Sequence, residues 1–277
     1  MTEWLCGLST SGRVPHTGGE AVTVLHAVLF DLDDTLFDHR LCARTALTAL
    51  HEAYDTFRSR PFAEVERLHA GFLEELHVRV TSGELPLEEA RRERFRRLFA
   101  AVGVTPGDDV VAEAAETYRG GYMKIRRAVA GAAALLAAVK QRSQVGIVSN
   151  NLLEEQRGKL RQCELDRFVD ELVVSEEAGM SKPDPRIFQI ALDRLGRRAD
   201  EVVMVGDSWA ADVMGARAAG IRAIWFNPDR APSPQPEATV VELYALEPVD
   251  AALATIFADE DASRSGKETA AMSDRGR

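Results

Sequence analysis

The sequence predicts an α/β protein with a doubly wound, Rossmann-like parallel sheet and an inserted α-helical cap domain. Three observations support this fold class. Short runs that are apolar throughout alternate with helical patterns, as expected for strands buried on both faces and for the helices that connect them. One long helical stretch interrupts this alternation after the first run. Clusters of polar residues follow several of the runs, where ligands bind in such sheets.

The elements alternate in a regular order along the chain. The strand candidates are VLHAVLFD (24–31), QVGIVSN (144–150), ELVVS (171–175), EVVMVGD (201–207) and IRAIWFN (221–227). Each is short, β-branched and apolar, which is typical of a buried strand. The helix candidates are 130–141, 152–163, 184–196 and 208–220, of which the last two end at glycine, a common stop signal. In the second of these helices, helical spacing relates Leu152, Leu153, Gln156 and Leu160.

The long helical stretch divides the chain into domains. Residues 39–126 contain helical patterns and no convincing buried strand, so we expect a helical cap that covers the carboxyl edge of the sheet. The α/β core is then discontinuous and consists of residues 23–38 and 127–258. The Gly-, Ser- and Thr-rich segment 1–22 predicts a disordered extension, and segment 259–277 predicts a flexible tail.

Composition and charge exclude several classes of function. The 277 residues include 44 acidic and 34 basic side chains, for a formal net charge of −10. This balance argues against a nonspecific nucleic-acid binder, and no apolar run approaches the ~18 residues of a membrane span. No secretory signal is recognisable, and the three cysteines are widely separated. We therefore expect a cytoplasmic protein without nucleic-acid or membrane partners, and its oligomeric state stays open.

Four polar clusters lie at, or just after, the carboxyl ends of predicted strands. Because these ends share one edge of a parallel sheet, their side chains are expected to converge in one pocket. All-oxygen ligands suit Mg²⁺ better than zinc, and a bound Mg²⁺ would attract a phosphate. One carboxylate could then attack phosphorus while a second transfers protons and a lysine and a serine stabilise the phosphoryl oxygens. The clusters contain Asp31, Asp33 and Asp34; Ser149, Asn150 and Asn151; Lys182 and Asp184; and Asp207 and Asp212.

The sequences of these clusters resemble a known family. FDLDDTL, VSNN, KPDPRIF and GDSWAAD are similar to motifs one to four of the haloacid dehalogenase-like (HAD) hydrolase superfamily and occur in the same order. The resemblance covers about residues 24–228. The helical insertion resembles the cap that directly follows motif one in part of this superfamily.

The resemblance implies a role for each matching residue. Asp31 matches the nucleophile, and Asp33 matches the general acid/base, whose backbone carbonyl usually ligates Mg²⁺. Lys182 matches the lysine that orients the nucleophile and the phosphoryl group. The residues implied in phosphoryl binding are Ser149 and Asn150, and those implied in metal binding are Asp31, Asp33, Asp207 and Asp212.

The acid at position 33 separates branches of the superfamily. The dehalogenases that name it lack this acid and need no metal, so Asp33 favours phosphate-ester chemistry. The resemblance thus implies a Mg²⁺-dependent phosphatase that hydrolyses a small soluble phosphate monoester (a nucleotide, a sugar phosphate or a flavin-type phosphate) through an aspartyl-phosphate. A phosphomutase and a non-catalytic partner-binding protein on this scaffold are the alternatives. Phosphonatases use an extra cap lysine, and Lys124, the only lysine in the insertion, lies next to the predicted return to the core.

Several other residues have a simpler structural explanation. The basic run at 91–97 is expected to form a solvated helix face paired with nearby glutamates. We expect packing or hinge positions, rather than substrate contacts, for Phe72, Tyr118, Tyr122, Trp209 and His39.

Overall fold

The computed structural model describes residues 25–258. The predicted extension 1–22 and the predicted tail 259–277 lie outside the described residues. The described chain contains a sheet of six parallel strands: β1 (Ala27–Phe30), β2 (Gln144–Ser149), β3 (Glu171–Val174), β4 (Val202–Gly206), β5 (Arg222–Phe226) and β6 (Val241–Leu243). Their order in the sheet is β3-β2-β1-β4-β5-β6. This order confirms the doubly wound, Rossmann-like α/β fold.

Helices account for most of the remaining described residues. In chain order they are α1 (His39–Ala53), α2 (Asp55–Arg58), α3 (Phe62–Thr81), α4 (Leu87–Ala101), α5 (Asp108–Ile125), α6 (Ala132–Lys140), α7 (Leu153–Gln162), α8 (Ser175–Ala178), α9 (Pro185–Leu195), α10 (Gly215–Ala218) and α11 (Val249–Ile256). None of the described helices is long and apolar enough to cross a membrane. The first five lie between β1 and β2, which are neighbours in the sheet, so the predicted helical insertion is present. The exact division into core and cap stays a prediction.

Both faces of the sheet are covered. Val28 and Phe30 of β1 pack in a hydrophobic cluster with α6 and the inserted helices. Ala27 and Leu29 pack on the opposite face in a cluster that contains α9. Successive residues of a strand point to opposite faces, and all four side chains are fully buried. Burial of a side chain such as Leu29 or Phe30 stabilises the fold by about 1.5–3 kcal/mol.

The two segments that connect the inserted helices to the sheet lie side by side. Phe37 forms an antiparallel bridge with Ala128. Next to it, the guanidinium of Arg127 donates a 2.9 Å hydrogen bond to the carboxylate of Asp38. The chain therefore leaves the sheet and returns to it at the same place, which positions the helical insertion over the carboxyl edge.

One local prediction is wrong, and one strand was missed. Segment 208–220 is not one α-helix, because it begins with a π-helix, Trp209–Met214, before α10. The edge strand β6 was not predicted. It has only three residues, and of these only Leu243 is buried.

Candidate active site

The carboxyl ends of β1, β2 and β4 meet where the strand order reverses, which is the ligand-binding position of open α/β sheets. Asp31 directly follows β1, Ser149 is the last residue of β2, and Asp207 directly follows β4. The Asp31 N–H donates a 2.9 Å hydrogen bond to the Val205 carbonyl, so strand pairing continues up to the site. The topology thus brings together residues that are far apart in the sequence.

Three carboxylates form the acidic cluster: Asp31, Asp207 and Asp212. One oxygen from each lies within 4.8 Å of the other two. Asp212 comes from the π-helix, and its carboxylate accepts a 2.9 Å hydrogen bond from the N–H of Ser208. A Cβ at Gly206 would lie 2.4 Å from the carboxyl carbon of Asp212. A residue with a side chain at position 206 would therefore displace a member of the cluster.

Lys182 lies against the acidic cluster and is 5% exposed. Its ammonium donates hydrogen bonds to Asp31 Oδ1 at 2.6 Å, to Asp212 Oδ1 at 2.7 Å and to the Val148 carbonyl at 2.6 Å. All three ammonium protons thus have an acceptor. Burial alone would lower the pKa of Lys182, but the adjacent carboxylates outweigh it and raise this pKa above its ordinary value. The side chain is a fixed positive charge beside Asp31.

Burial and mutual repulsion raise the pKa of two carboxyls in the acidic cluster. Burial and the carboxylate of Asp212 raise the pKa of Asp207 to about 7. Burial also raises the pKa of Asp31, despite the opposing effect of Lys182. Arg40 contacts Asp207 at 2.9 Å from the solvent side, with its own side chain 60% exposed. Closely spaced carboxylate oxygens fit a hard divalent cation, so the acidic cluster could hold Mg²⁺.

The side chain of Asp33 has a different environment from that of Asp31. The ammonium of Lys159 donates to both carboxylate oxygens of Asp33, at 2.5 and 2.7 Å. The amide of Gln156 donates to it at 3.0 Å. Burial would raise the pKa of Asp33, but Lys159, His39 and Gln156 together outweigh this effect and hold the pKa below its ordinary range. Because this side chain is not in the acidic cluster, a role of Asp33 as a metal ligand would fall to its backbone carbonyl, as the resemblance implies.

The sequence interpretation missed Lys159 and Gln156. Both residues lie on one face of α7, three positions apart, and are 3% and 0% exposed. Gln156 also donates a 2.5 Å hydrogen bond to the hydroxyl of Ser149. The sequence contains a signal for Gln156, which lies four residues before Leu160 and therefore on the same, apolar face of the helix. A polar residue on the buried face of a helix needs a polar partner. The partners of Gln156 are the site residues Asp33 and Ser149.

Asn150 connects two parts of the site. Its amide nitrogen donates to the Lys182 carbonyl at 2.9 Å, and its amide oxygen accepts from the Lys182 N–H at 2.7 Å. Its own carbonyl is 2.7 Å from Nε2 of His77 in α3. The predicted phosphoryl-binding side chain is therefore engaged in holding the backbone that carries Lys182. Ser149 lies beside it and is 2% exposed.

A cavity of about 380 Å³ lies between the inserted helices and the carboxyl edge of the sheet. On the sheet side it is lined by Asp33, Asn150, Asn151 and Lys159. On the helical side the lining includes His39, His77, Arg91, Arg94, Tyr118 and Tyr122. Its size is within the usual range for a small-molecule site.

The basic run 91–97 differs from the predicted solvated face. Arg94 is 8% exposed and lines the cavity. Arg91 also lines the cavity, and it pairs with Glu155 at 3.0 Å. Only part of the run follows the prediction, as in Arg96, which pairs with Glu93 on the helix surface. The spacing of Arg91 and Arg94 with Leu98, at intervals of three and four residues, was the available signal.

The aromatic residues and His39 only partly match their predicted roles. Tyr118 and Tyr122 are buried, as expected, but they also line the cavity. His39 forms a 2.8 Å hydrogen bond with the hydroxyl of Tyr122 and lines the cavity too. Trp209 packs edge-on against Trp225, with ring centroids 5.1 Å apart. Phe72 packs partly buried against the core, and Lys124 is exposed.

Comparisons with known proteins find relatives that match most of this chain. Two curated relatives resemble most of the chain. The pyrimidine 5'-nucleotidase YjjG of Escherichia coli is 29% identical over 225 residues, which are 79% of this chain and 95% of that protein. The phosphoserine phosphatase of Thermus thermophilus is 32% identical over 236 residues, which cover 76% and 92% of the two chains.

A solved structure and a family model extend the comparison. The HAD-hydrolase YfnB from Bacillus subtilis, bound to magnesium, superimposes with a TM-score of 0.65 at 26% identity. The match covers 83% of this chain and 99% of that one. The model of the haloacid dehalogenase-like hydrolases matches residues 25–220, well over half of the chain and all four motifs. On this evidence the chain belongs to the haloacid dehalogenase-like hydrolase family.

Proposed function

We propose that the chain is a cytoplasmic, Mg²⁺-dependent phosphatase that hydrolyses a small soluble phosphate monoester. The observation that carries this proposal is the pair Asp31 and Asp33. These carboxylates are two positions apart, yet one contacts Lys182 in the acidic cluster while the other contacts Lys159 outside it. Two carboxylates in separate environments can divide nucleophilic attack and proton transfer between them. The names of the relatives, a nucleotidase and a phosphoserine phosphatase, support the same reaction class.

In the proposed first step, a carboxylate oxygen of Asp31 attacks phosphorus. The bond from phosphorus to the leaving oxygen breaks, and that oxygen takes a proton from Asp33. Lys182 holds Asp31 in place, and the Ser149 hydroxyl binds a phosphoryl oxygen. The product is an aspartyl-phosphate and a free alcohol.

In the proposed second step, Asp33 accepts a proton from water, which attacks the aspartyl-phosphate and releases inorganic phosphate and Asp31. The contact with Lys159 favours the charged form of Asp33 that this step needs. In the first step the same carboxyl must carry a proton, so the contact has to weaken when the substrate is bound.

Asp31, Asp207 and Asp212, with the backbone carbonyl of Asp33, would hold the Mg²⁺. When bound, the ion neutralises these carboxylates and withdraws charge from the phosphoryl oxygens. The fit is supported by the three carboxylate oxygens of the acidic cluster, which lie within 4.8 Å of one another.

A panel of phosphate esters tests the proposal directly. Purified protein with Mg²⁺ is assayed for inorganic phosphate released from p-nitrophenyl phosphate, nucleotides, sugar phosphates and flavin mononucleotide. We expect phosphate release from at least one metabolite. An isomerised sugar phosphate without net release would indicate a phosphomutase instead.

Removal of the metal is expected to stop the reaction. Incubation with EDTA followed by gel filtration should reduce hydrolysis of p-nitrophenyl phosphate by at least about 100-fold, because the acidic cluster then repels the anionic substrate. Addition of Mg²⁺ should restore the parent rate, whereas addition of Na⁺ at the same ionic strength should not. Full activity in the presence of chelator would favour chemistry of the metal-independent dehalogenase type.

Replacement of Lys159 is expected to impair proton transfer. Lys159→Met removes the cation that orients Asp33, and we expect kcat to fall by about 10- to 100-fold with a smaller change in KM. Lys159→Arg should recover part of the loss. Arg157→Met is the matched control, since Arg157 lies on the same helix with its side chain 50% exposed. If Lys159→Met had the same kcat as the parent protein, Lys159 would have no role in the proton transfer by Asp33.

A further inference from the structure

Arg94 is a buried cation without an anionic partner among the described residues. It lies in α4 and is 8% exposed. Its guanidinium lies over the rings of Phe95 and Tyr118, with centroid distances of 5.0 and 4.8 Å. Its Nε is buried and has no hydrogen-bond partner within the described chain. A buried charge is strongly unfavourable unless it is paired.

The neighbouring arginines are paired. Arg91 and Arg119 contact Glu155 at 3.0 and 3.7 Å. Arg126 contacts the same carboxylate at 3.1 Å. The guanidinium of Arg94 thus differs from those around it, and because arginine stays protonated in proteins, it cannot relieve the cost by losing its charge.

The other charges that line the cavity do not offset Arg94. Glu155 is shared by three arginines, and Asp33 is bound by Lys159. Glu74 lines the cavity but is exposed and forms no ion pair within residues 25–258. The imidazoles of His39 and His77 are hydrogen-bonded to a tyrosine hydroxyl and a backbone carbonyl. The helical side of the cavity therefore presents an unneutralised guanidinium.

Arg94 and Asp33 line the same cavity. A substrate whose phosphoryl group lies at the acidic cluster would extend its leaving portion past Asp33 toward the inserted helices. We propose that Arg94 binds a second anionic group, a carboxylate or a phosphate, on that leaving portion. A guanidinium presents two parallel N–H donors that match either group. The inference rests on the proposed phosphatase function and narrows its substrate class to small phosphate monoesters that carry two anionic groups.

The unmodified protein provides the first test. Two matched pairs distinguish the two sources of negative charge: 3-phosphoglycerate against glycerol 3-phosphate, and fructose 1,6-bisphosphate against fructose 6-phosphate. In at least one pair, the member with the extra anion should show a kcat/KM at least about 10-fold higher. The pair that shows this difference in kcat/KM identifies the second anionic group of the substrate as a carboxylate or as a phosphate.

Variants of α4 provide the second test. Arg94→Met keeps an unbranched, apolar side chain and should reduce the ratio of kcat/KM within the responsive pair by about 10- to 100-fold. Arg94→Lys, which keeps the charge but lacks the two parallel donors, should give an intermediate ratio. Arg92→Met is the control, because Arg92 lies on the same helix but is exposed, and it should leave the ratio unchanged.

The outcomes separate this inference from the proposed function. Hydrolysis of p-nitrophenyl phosphate without preference in either pair would overturn the inference and leave the phosphatase function intact. A preference that persists in Arg94→Met would also overturn it. Failure to hydrolyse any phosphate ester, p-nitrophenyl phosphate included, would reject the proposed function and the inference with it.

Discussion

Asp31→Asn is expected to reduce phosphate-ester hydrolysis by at least about 10³-fold while the protein still folds. The asparagine amide has nearly the shape of the carboxylate but lacks its nucleophilic charge. Lys182 keeps its hydrogen bonds to Asp212 and to the Val148 carbonyl. Because the substitution removes one of three crowded carboxylates, the free energy of unfolding should stay the same or increase.

Steady-state kinetics with the best substrate of the panel, combined with thermal unfolding, measure both parts of this prediction. Asp193→Asn is the control, since Asp193 is an exposed aspartate on α9. It should match the parent in rate and in melting temperature. Hydrolysis by Asp31→Asn at the parent rate would assign the nucleophile to another residue.

Lys182→Met is expected to affect both activity and stability. The variant leaves Asp31 and Asp212 buried without the ammonium that contacts both. Removal of one partner from a buried ion pair typically destabilises a protein by about 3–5 kcal/mol. Turnover should fall by at least about 10³-fold, because the nucleophile loses its orientation and the phosphoryl oxygens lose a positive charge.

Urea unfolding in the presence of EDTA measures the change in stability without a divalent cation that could substitute for the ammonium. Activity is then measured with Mg²⁺ at a temperature at which the variant is folded. Lys124→Met, at an exposed position on α5, is the matched control for both measurements. If Lys182→Met unfolded at the same urea concentration as the parent protein, the stability of the protein would not depend on the contacts of this lysine with the acidic cluster.

Strands β1 to β5 are predictable from the sequence because they are short apolar runs flanked by polar residues, the pattern of a sheet buried on both faces. Strand β6 is not, since Glu242 interrupts its three residues and only Leu243 is buried. The π-helix is also not predictable, because it depends on the Val213 N–H reaching the Ser208 carbonyl at 3.2 Å. The apolar periodicity of the sequence does not distinguish this hydrogen bond, which spans five residues, from the α-helical bond, which spans four.

The positions of Asp31, Ser149 and Asp207 are predictable because each ends or directly follows a strand, and the sheet topology brings these strand ends together. Lys159 and Arg94 are harder to recognise, since charged residues on helices usually face solvent. What places them inside is tertiary packing: Lys159 faces a carboxylate from the end of β1, and Arg94 lies against the ring of Tyr118 in another helix. The spacing of Lys159 from Gln156 and of Arg94 from Leu98, at three and four residues, indicates the buried face of each helix but not the partner.

The position of the helical insertion between neighbouring strands has a consequence for the order of folding. The register pairs Ala27 of β1 with Gln144 of β2 and with Val202 of β4. During synthesis, α1 to α5 are complete before either partner of β1 has been made. Pairing of the central strand is therefore a late, long-range event, and such pairing is slow compared with helix formation. Until it occurs, the newly made chain carries an apolar strand without a partner, which is the kind of segment that molecular chaperones protect.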